Sequence, residues 1–379
     1  MSIRAGENNI KMHIIFLAGW YPSRVFLYNG DFIQRHAEAV SLLHKITVIH
    51  VVTDNNLSQN IEITDNEING VRTLIAYVKK SVFKPILFFN AFRKLFSIAG
   101  NFDIIHVNIL YPVGIVALFF NKFKGKKYII TEHHTIYHKE LRENIGFFRR
   151  KLSEYISTNA AVLCPVSEHL AGEMIDFGLT GNYIDVPNVV DTDLFTAKES
   201  KNNGKFSIIH VSNMEPRKRV KDILDIIRDL QDETKDFVLY LIGENSSQYM
   251  NYAESLGIEP GNIKFIEQIS HQQLADYYRK SDIFILFSES ENLPCVILES
   301  FSCGTPVISN NVGGISEYFP DDFGFLENDK NKIKDLILQI QSSGSIASPE
   351  KMHNYVVENF SPAKIAQNFS DLYKLALMK

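Results

Sequence analysis

Short apolar runs recur along this chain at the spacing of strands with a helix folded between each pair. Residues 14–17, 46–52, 104–107, 128–131 and 161–165 each read as a buried strand, and the stretches between them carry apolar residues at helical intervals. A polar stretch over residues 196–206, with Asn202-Asn203-Gly204 inside it, interrupts the pattern. Strand-like runs then restart near residues 207–211, 238–243, 263–265, 283–287 and 307–309. Continuously apolar strands joined by helices build parallel sheets covered on both faces, so the pattern predicts two α/β domains with doubly wound sheets. The length of 379 residues agrees, because a single core stops growing near about 250–300. The expected division is a first domain over 1–195, a linker over 196–206, a second domain over 207–355 and a C-terminal helix over 356–379. Ile365, Phe369, Leu372 and Leu375 carry the helical spacing of that last segment.

Hydrophobic content of 45% with 22% charged residues is that of an ordinary globular protein. Cys164, Cys295 and Cys303 lack paired or metal-type spacing, which predicts a reducing compartment and no disulfide framework. The apolar start over residues 12–20 reads as a first strand running into a turn at Tyr21-Pro22-Ser23, not as a signal peptide. No apolar run approaches the roughly 20 residues that span a bilayer. The expectation is a cytoplasmic chain without transmembrane helices.

The net charge of −5 conceals an asymmetry: residues 79–151 hold 14 Lys plus Arg against 4 Asp plus Glu, a balance of +10. Phenylalanines run through the same segment, among them Phe83, Phe89, Phe119, Phe123, Phe147 and Phe148. One reading is docking on an anionic membrane, peripheral at the inner face of the cytoplasmic membrane; the other is solvated helix faces over an ordinary core. No recognisable nucleic-acid motif accompanies the charge, so nucleic acid is not an expected partner.

The chemistry concentrates where Glu291 and Glu299 bracket Glu-Asn-Leu-Pro-Cys-Val-Ile-Leu-Glu. An apolar strand precedes this run, and a helix with Pro294 near its first turn follows, closing at Cys303-Gly304. Ligands of open parallel sheets bind at such strand-to-helix crossings. Free N–H groups at the helix start favour a diphosphate, and carboxylates accept hydrogen bonds from sugar hydroxyls. The combination suits a nucleotide-sugar.

This run, followed by Gly304-Thr305-Pro306-Val307-Ile308 and Gly313-Gly314-Ile315-Ser316-Glu317, resembles the E-x7-E region of the retaining glycosyltransferases of family 4. The resemblance implies a GT-B fold, two Rossmann-like domains facing across a cleft, with the C-terminal helix returning to the first domain. It implies transfer of a sugar from a nucleoside diphosphate, UDP favoured and GDP next, to a saccharide or lipid-linked saccharide, with retention and without cofactor or metal. Glu291 would bind sugar hydroxyls and Glu299 the ribose; N–H groups from Leu293 through Val296, skipping Pro294, would face sugar and phosphate. Asn292, Leu293, Pro294, Cys295 and Val296 thus join the expected donor site. His210 to Val220 is similar to the family's Gly-Arg-Leu-x-x-x-Lys-Gly element, making Lys218 the phosphate lysine. Asn213 stands where arginine is usual, with Arg217 or Arg219 able to supply the missing charge. His133, in Thr131-Glu132-His133-His134, matches the family histidine that contacts the donor sugar. Catalytic roles would fall to His133, Lys218 and Glu291. Gly30, before the first helix, stands at the glycine-rich first loop, and Gly243 at a Gly-x-Gly element whose second glycine is Asn245. Val189 replaces a further usual glycine.

The opening Trp20-Tyr21-Pro22-Ser23 and Asn29-Gly30-Asp31-Phe32-Ile33, with the Glu-Asn-Leu-Pro variant, resemble enzymes of bacterial capsule, exopolysaccharide or O-antigen synthesis. Three other readings stay open: a nucleotide-sugar 2-epimerase of the same fold, a non-catalytic sugar-nucleotide-binding module, and a soluble-acceptor enzyme such as a thiol-cofactor glycosyltransferase. Asp191-Thr192-Asp193 resembles a D-x-D metal motif, but Pro187-Asn188-Val189-Val190-Asp191 matches the family's Pro-Asn-Gly-Val-Asp better, so Asp191 is expected to order the cleft. His134 and His138 lack a third ligand at metal spacing.

Overall fold

The computed structural model describes residues 11–199, 204–343 and 347–378. The chain forms two compact units, residues 1–189 with 362–379 and residues 190–361.

The first unit runs β1 (His13–Ala18), α1 (Asp31–Ser41), β2 (Lys45–Asp54), β3 (Ile61–Ile68), β4 (Val71–Lys79), α2 (Lys84–Ala99), β5 (Ile104–Asn108), α3 (Gly114–Lys124), β6 (Lys127–Glu132), α4 (Lys139–Arg142), α5 (Phe147–Asn159), β7 (Val162–Pro165) and α6 (Glu168–Phe177). Its seven-stranded sheet has the order β3-β4-β2-β1-β5-β6-β7 and is parallel except at the β3–β4 edge. That hairpin is a departure from the expected strands. Asn69 and Gly70 turn it with φ of 49° and 77°, the two left-handed residues that a tight two-residue hairpin needs.

The second unit runs β8 (Phe206–Val211), α7 (Val220–Glu233), β9 (Phe237–Ile242), α8 (Met250–Ser255), β10 (Ile263–Ile266), α9 (His271–Lys280), β11 (Ile283–Leu286), α10 (Cys295–Ser302), β12 (Val307–Ser309), β13 (Gly324–Leu326), α11 (Lys330–Ser343) and α12 (Pro349–Phe360). Its six strands, in the order β10-β9-β8-β11-β12-β13, are all parallel. α7 shows the logic of the packing: Ile223, Leu224, Ile227 and Leu230 are buried, while Asp229 and Arg228 face water. α9 starts at a reciprocal cap between Ser270 and Gln273.

The division falls at 189/190, before the expected boundary at 195. Val190 N–H donates to Phe360 O at 2.9 Å and Lys198 N–H to Cys303 O at 3.1 Å, tying this stretch to the second unit. Residues 200–203 of the expected linker lie outside the described residues. The last helix, α13 (Pro362–Met378), belongs to the first unit, where Ile365, Phe369, Leu372, Tyr373 and Ala376 enter the core cluster. His44 Nε2 meets Ser370 Oγ at 2.9 Å, and His106 Nδ1 meets Tyr373 OH at 2.7 Å. No helix among the described residues is long and apolar enough to cross a membrane.

Candidate functional site

In the second unit the strand order reverses between β8 and β11, so the loops leaving their carboxyl ends diverge around a crevice. Lys218 comes from the first loop and Glu291 from the second. They lie 73 positions apart in sequence and meet as a hydrogen-bonded ion pair, 9% and 5% exposed. Burial pushes the Glu291 carboxyl up, but the Lys218 charge and hydrogen bond, with Ser288 and Arg217, hold it below the usual carboxylate range. A buried pair contributes little net stability, so its presence at the switch point marks a ligand site more than a structural strut.

Both loops are tightly built. Met214 and Arg219 are left-handed at φ 56° and 46° on either side of Lys218, the kind of strain that a binding loop retains. Gly243, at φ 150°, lies under this turn: an added Cβ would sit 1.8 Å from Ser212 O. Gly313, at φ 60°, does the same for the other loop, with an added Cβ 1.6 Å from Glu291 O. Glu289 N–H donates to Arg217 O at 2.8 Å and joins the two loops. Ser288 N–H donates to Asn310 Oδ1 at 2.9 Å, and Asn310 Nδ2 returns a bond to Ser288 O at 2.6 Å.

The structure thus brings Lys218, Arg217 and Glu291 together and leads directly into Asn292, Leu293 and Pro294, which are buried, and Cys295 and Val296, which are half-buried at the α10 start. Pro294 is the residue before the helix, not inside its first turn. Glu299 lies on α10, 2% exposed. Asn213 is exposed on the Lys218 loop. Of the two arginines able to replace its missing charge, Arg219 is bonded to Asp222 at 2.7 Å and lies over the Phe287 ring at 4.5 Å. Arg217 is held by Glu215 at 2.6 Å and acts on Glu291, so it is the better placed. Asn245 takes the missing glycine's place at φ 62°, a conformation asparagine tolerates. Asp282 accepts Ser207 N–H at 2.8 Å, a tie at the strand start.

The first unit carries a second group of expected residues at its own switch point, between β1 and β5. His133 is wedged between Phe32 and His36, with ring centroids at 4.6 and 5.3 Å. Burial, then His36 and His106, hold its imidazole well below the ordinary value, so it is neutral. Gly30 has φ 79°, and an added Cβ would lie 2.6 Å from the Trp20 carbonyl carbon, so the chain's own close approach accounts for the glycine. Val189 is buried in the core cluster. In the second unit Asp191 accepts the N–H of Asp193 and Leu194 at 3.2 and 3.1 Å, which orders the turn there. His134 Nδ1 accepts Ile136 N–H at 3.0 Å, and the His138 ring lies edge-on to His169.

Sequence reasoning missed Asn310, which clamps the β11 exit, and Glu132, a fully buried carboxylate at the end of β6. A glutamate closing the apolar run Tyr128-Ile129-Ile130-Thr131 was a visible signal for the second. For Asn310 there was none beyond its position after a strand.

Residues 31–194 match the model of Glycosyltransferase Family 4, and residues 191–359 that of Glycosyl transferases group 1. The chain is 26% identical over 329 residues to an uncharacterised glycosyltransferase of Methanocaldococcus jannaschii, covering 84% of this chain and 87% of that protein. It is 25% identical over 288 residues to N-acetyl-alpha-D-glucosaminyl L-malate synthase of Bacillus anthracis, covering 72% and 74%. Anabaena HepE, solved with UDP and glucose, superposes with a TM-score of 0.73 at 14% identity over 96% of this chain and 99% of that one. With two Rossmann-like parallel-sheet units and both domain models matched in chain order, the chain belongs to the family 4 glycosyltransferases of GT-B fold.

Proposed function

We propose that this glycosyltransferase moves a sugar from a nucleoside diphosphate donor, UDP before GDP, to a saccharide or lipid-linked saccharide in the synthesis of a bacterial surface polysaccharide. The observation that carries the reading is the Lys218–Glu291 pair at the switch point of the second unit. Lys218 supplies the cation that a departing diphosphate needs, and the N–H groups after Glu291 add preorganised donors. Glu291 is ionised and accepts from sugar hydroxyls. HepE holds UDP, and the Bacillus anthracis relative is named for N-acetylglucosaminyl transfer; both support a UDP-linked hexose or N-acetylhexosamine.

Retention follows the front-face course. The acceptor oxygen bonds to the anomeric carbon as the bond to the diphosphate oxygen breaks, and the acceptor proton passes to that leaving oxygen. Charge on the diphosphate is then met by Lys218 and backbone donors, so no metal is needed. In this reading Glu299 accepts from the ribose hydroxyls.

The name of the Bacillus anthracis relative favours a second reading, in which the acceptor is a small soluble hydroxy acid. One experiment decides donor and acceptor class. Thermal shifts are recorded with UDP-, GDP-, ADP- and dTDP-sugars on the parent and Glu299→Ala, and the stabilising donor is then offered L-malate or a polyprenyl-linked saccharide. A shift with a UDP-sugar that shrinks in Glu299→Ala, followed by an α-linked lipid saccharide, supports the proposal. Glycosylated malate alone supports the second reading, and the absence of any nucleotide shift overturns both.

A further inference from the structure

The first unit leaves one helical layer oily and basic on its outer side. In its sheet the crossings β4–α2–β5, β5–α3–β6 and β6–α5–β7 all advance in one direction, whereas β1–α1–β2 runs the other way. Right-handed crossovers therefore put α2, α3 and α5 side by side on one face, opposite α1. Contacts agree: the Phe96 ring of α2 lies 4.2 Å from that of Phe120 of α3, tilted by 31°, and Lys122 of α3 bonds Asn159 of α5 and lies over its Tyr155.

Each helix turns small or aliphatic residues inward, Ala91 and Leu95 on α2, Ala117 on α3, Ile156 on α5. Residues about half a turn away point outward. On α3 these are Ile115, Phe119 and Phe123, one stripe at intervals of four. Phe89 on α2 is 62% exposed, Phe123 72% and Phe148 at the start of α5 86%. A soluble face rarely carries such large apolar side chains together. Lys84, Lys94 and Lys124 are exposed on the same helices and make no ion pair in the described structure, although Lys84 lies over Phe88. The carboxylates of the segment are few, and Glu132 is buried away from them. Aromatics that insert, ringed by unpaired cations, are the chemistry of a surface that meets anionic headgroups over hydrocarbon.

The geometry points to the outer face of α2, α3 and α5 as a docking surface for an anionic lipid bilayer. The aromatic stripe enters the acyl boundary, and the lysines meet the headgroups. A protein partner fits less well, because the unpaired lysines are spread along α2 and α3. The inference stands on the helix layer alone and not on the transferase reading, so the two fail separately.

The test is co-sedimentation of the full chain with vesicles of phosphatidylcholine, alone or with 30% phosphatidylglycerol (about that fraction of anionic lipid), at low and high salt. Two variants accompany it, Phe89→Ser/Phe119→Ser/Phe123→Ser and Lys84→Glu/Lys94→Glu/Lys124→Glu; all six positions are exposed, and a cooperative thermal melt followed by circular dichroism checks that both fold. Binding to anionic vesicles that falls with salt, and falls by at least about tenfold in each variant, is the expected result. A parent chain that stays in the supernatant overturns the inference, as does equal binding by both variants. So does a loss in the Phe variant that tracks dissociation of a dimer, which would make the face a self-association surface.

Discussion

Oε1 of Glu132 accepts the backbone N–H of His133 at 2.9 Å. The same oxygen takes the N–H of His134 at 2.8 Å, and Oε2 takes that of Leu110 at 2.9 Å. One carboxylate thereby fixes the loops leaving β5 and β6. Gly19 N–H donates to Asn108 O at 2.9 Å, and Trp20 lies 4.8 Å from the His134 ring, which draws in the loop after β1. Ile109, beside Leu110, is left-handed at φ 73°, costly for a β-branched residue and sustained by these bonds.

Burial pushes the Glu132 carboxyl up to about 7 against an ordinary 4.5, although its three backbone donors, with Tyr137 beside it, pull the other way. A raised folded value means that the folded state holds the proton more tightly. The stabilising contribution is then full below about 4.5 and lost as pH rises toward 7. Glu132→Gln should flatten that part of the stability curve, lowering Tm by about 2–4 °C at pH 5 and less at pH 8. A Tm–pH curve parallel to the parent's would show that Glu132 does not titrate in this range.

Lys218→Ala leaves Glu291 buried without its cation. Unfolding stability should fall by about 3–5 kcal/mol. Lys218→Ala/Glu291→Ala should recover much of that loss, since no lone charge remains, while sugar transfer stays down by about 10²–10³-fold. Denaturant unfolding and single-turnover transfer on the same samples separate the two effects.

Gly313→Ala places a methyl group against Glu291 O in a left-handed turn. The loop must move, costing more than about 1 kcal/mol and displacing the Glu291 carboxylate. Donor Kd, read by titration calorimetry, should weaken by about tenfold or more. Gly70→Ala, at a turn with open space around it, carries only the backbone strain and should leave donor binding unchanged.

His36, His50 and His210 are each pushed down to about 4 by burial, only partly offset by one backbone carbonyl bond apiece. Their contribution to stability is full above the ordinary value of 6.5 and lost as pH falls toward 4. This sense opposes that of Glu132. Cooperative unfolding on acidification between pH 6 and 4, followed by circular dichroism, is the expected outcome, and His36→Gln should move the midpoint to lower pH if the variant folds.

The parallel strands were legible because burial on both faces makes them apolar throughout, as in Ile283-Phe284-Ile285-Leu286. β3 was not, because Asp65, Asn66 and Glu67 face water at the sheet edge and blur the pattern. Asn69-Gly70 was the available sign of that hairpin. The Lys218 and Glu291 elements were readable one by one. Their pairing was not, since it depends on where the strand order reverses, a property of the sheet and not of either segment. The bonds of Glu132 run to main-chain groups, which any residue type would present, so no side-chain pattern announces them.

The placement of α13 has a consequence for biogenesis. The first unit cannot close its core when its own strands have left the ribosome, because Ile365, Phe369 and Tyr373 are made only after the whole second unit. At about 5–20 residues per second the nascent sheet waits with that helix-shaped face uncovered, while the later unit folds ahead of it. The order of completion is therefore the reverse of the order of synthesis.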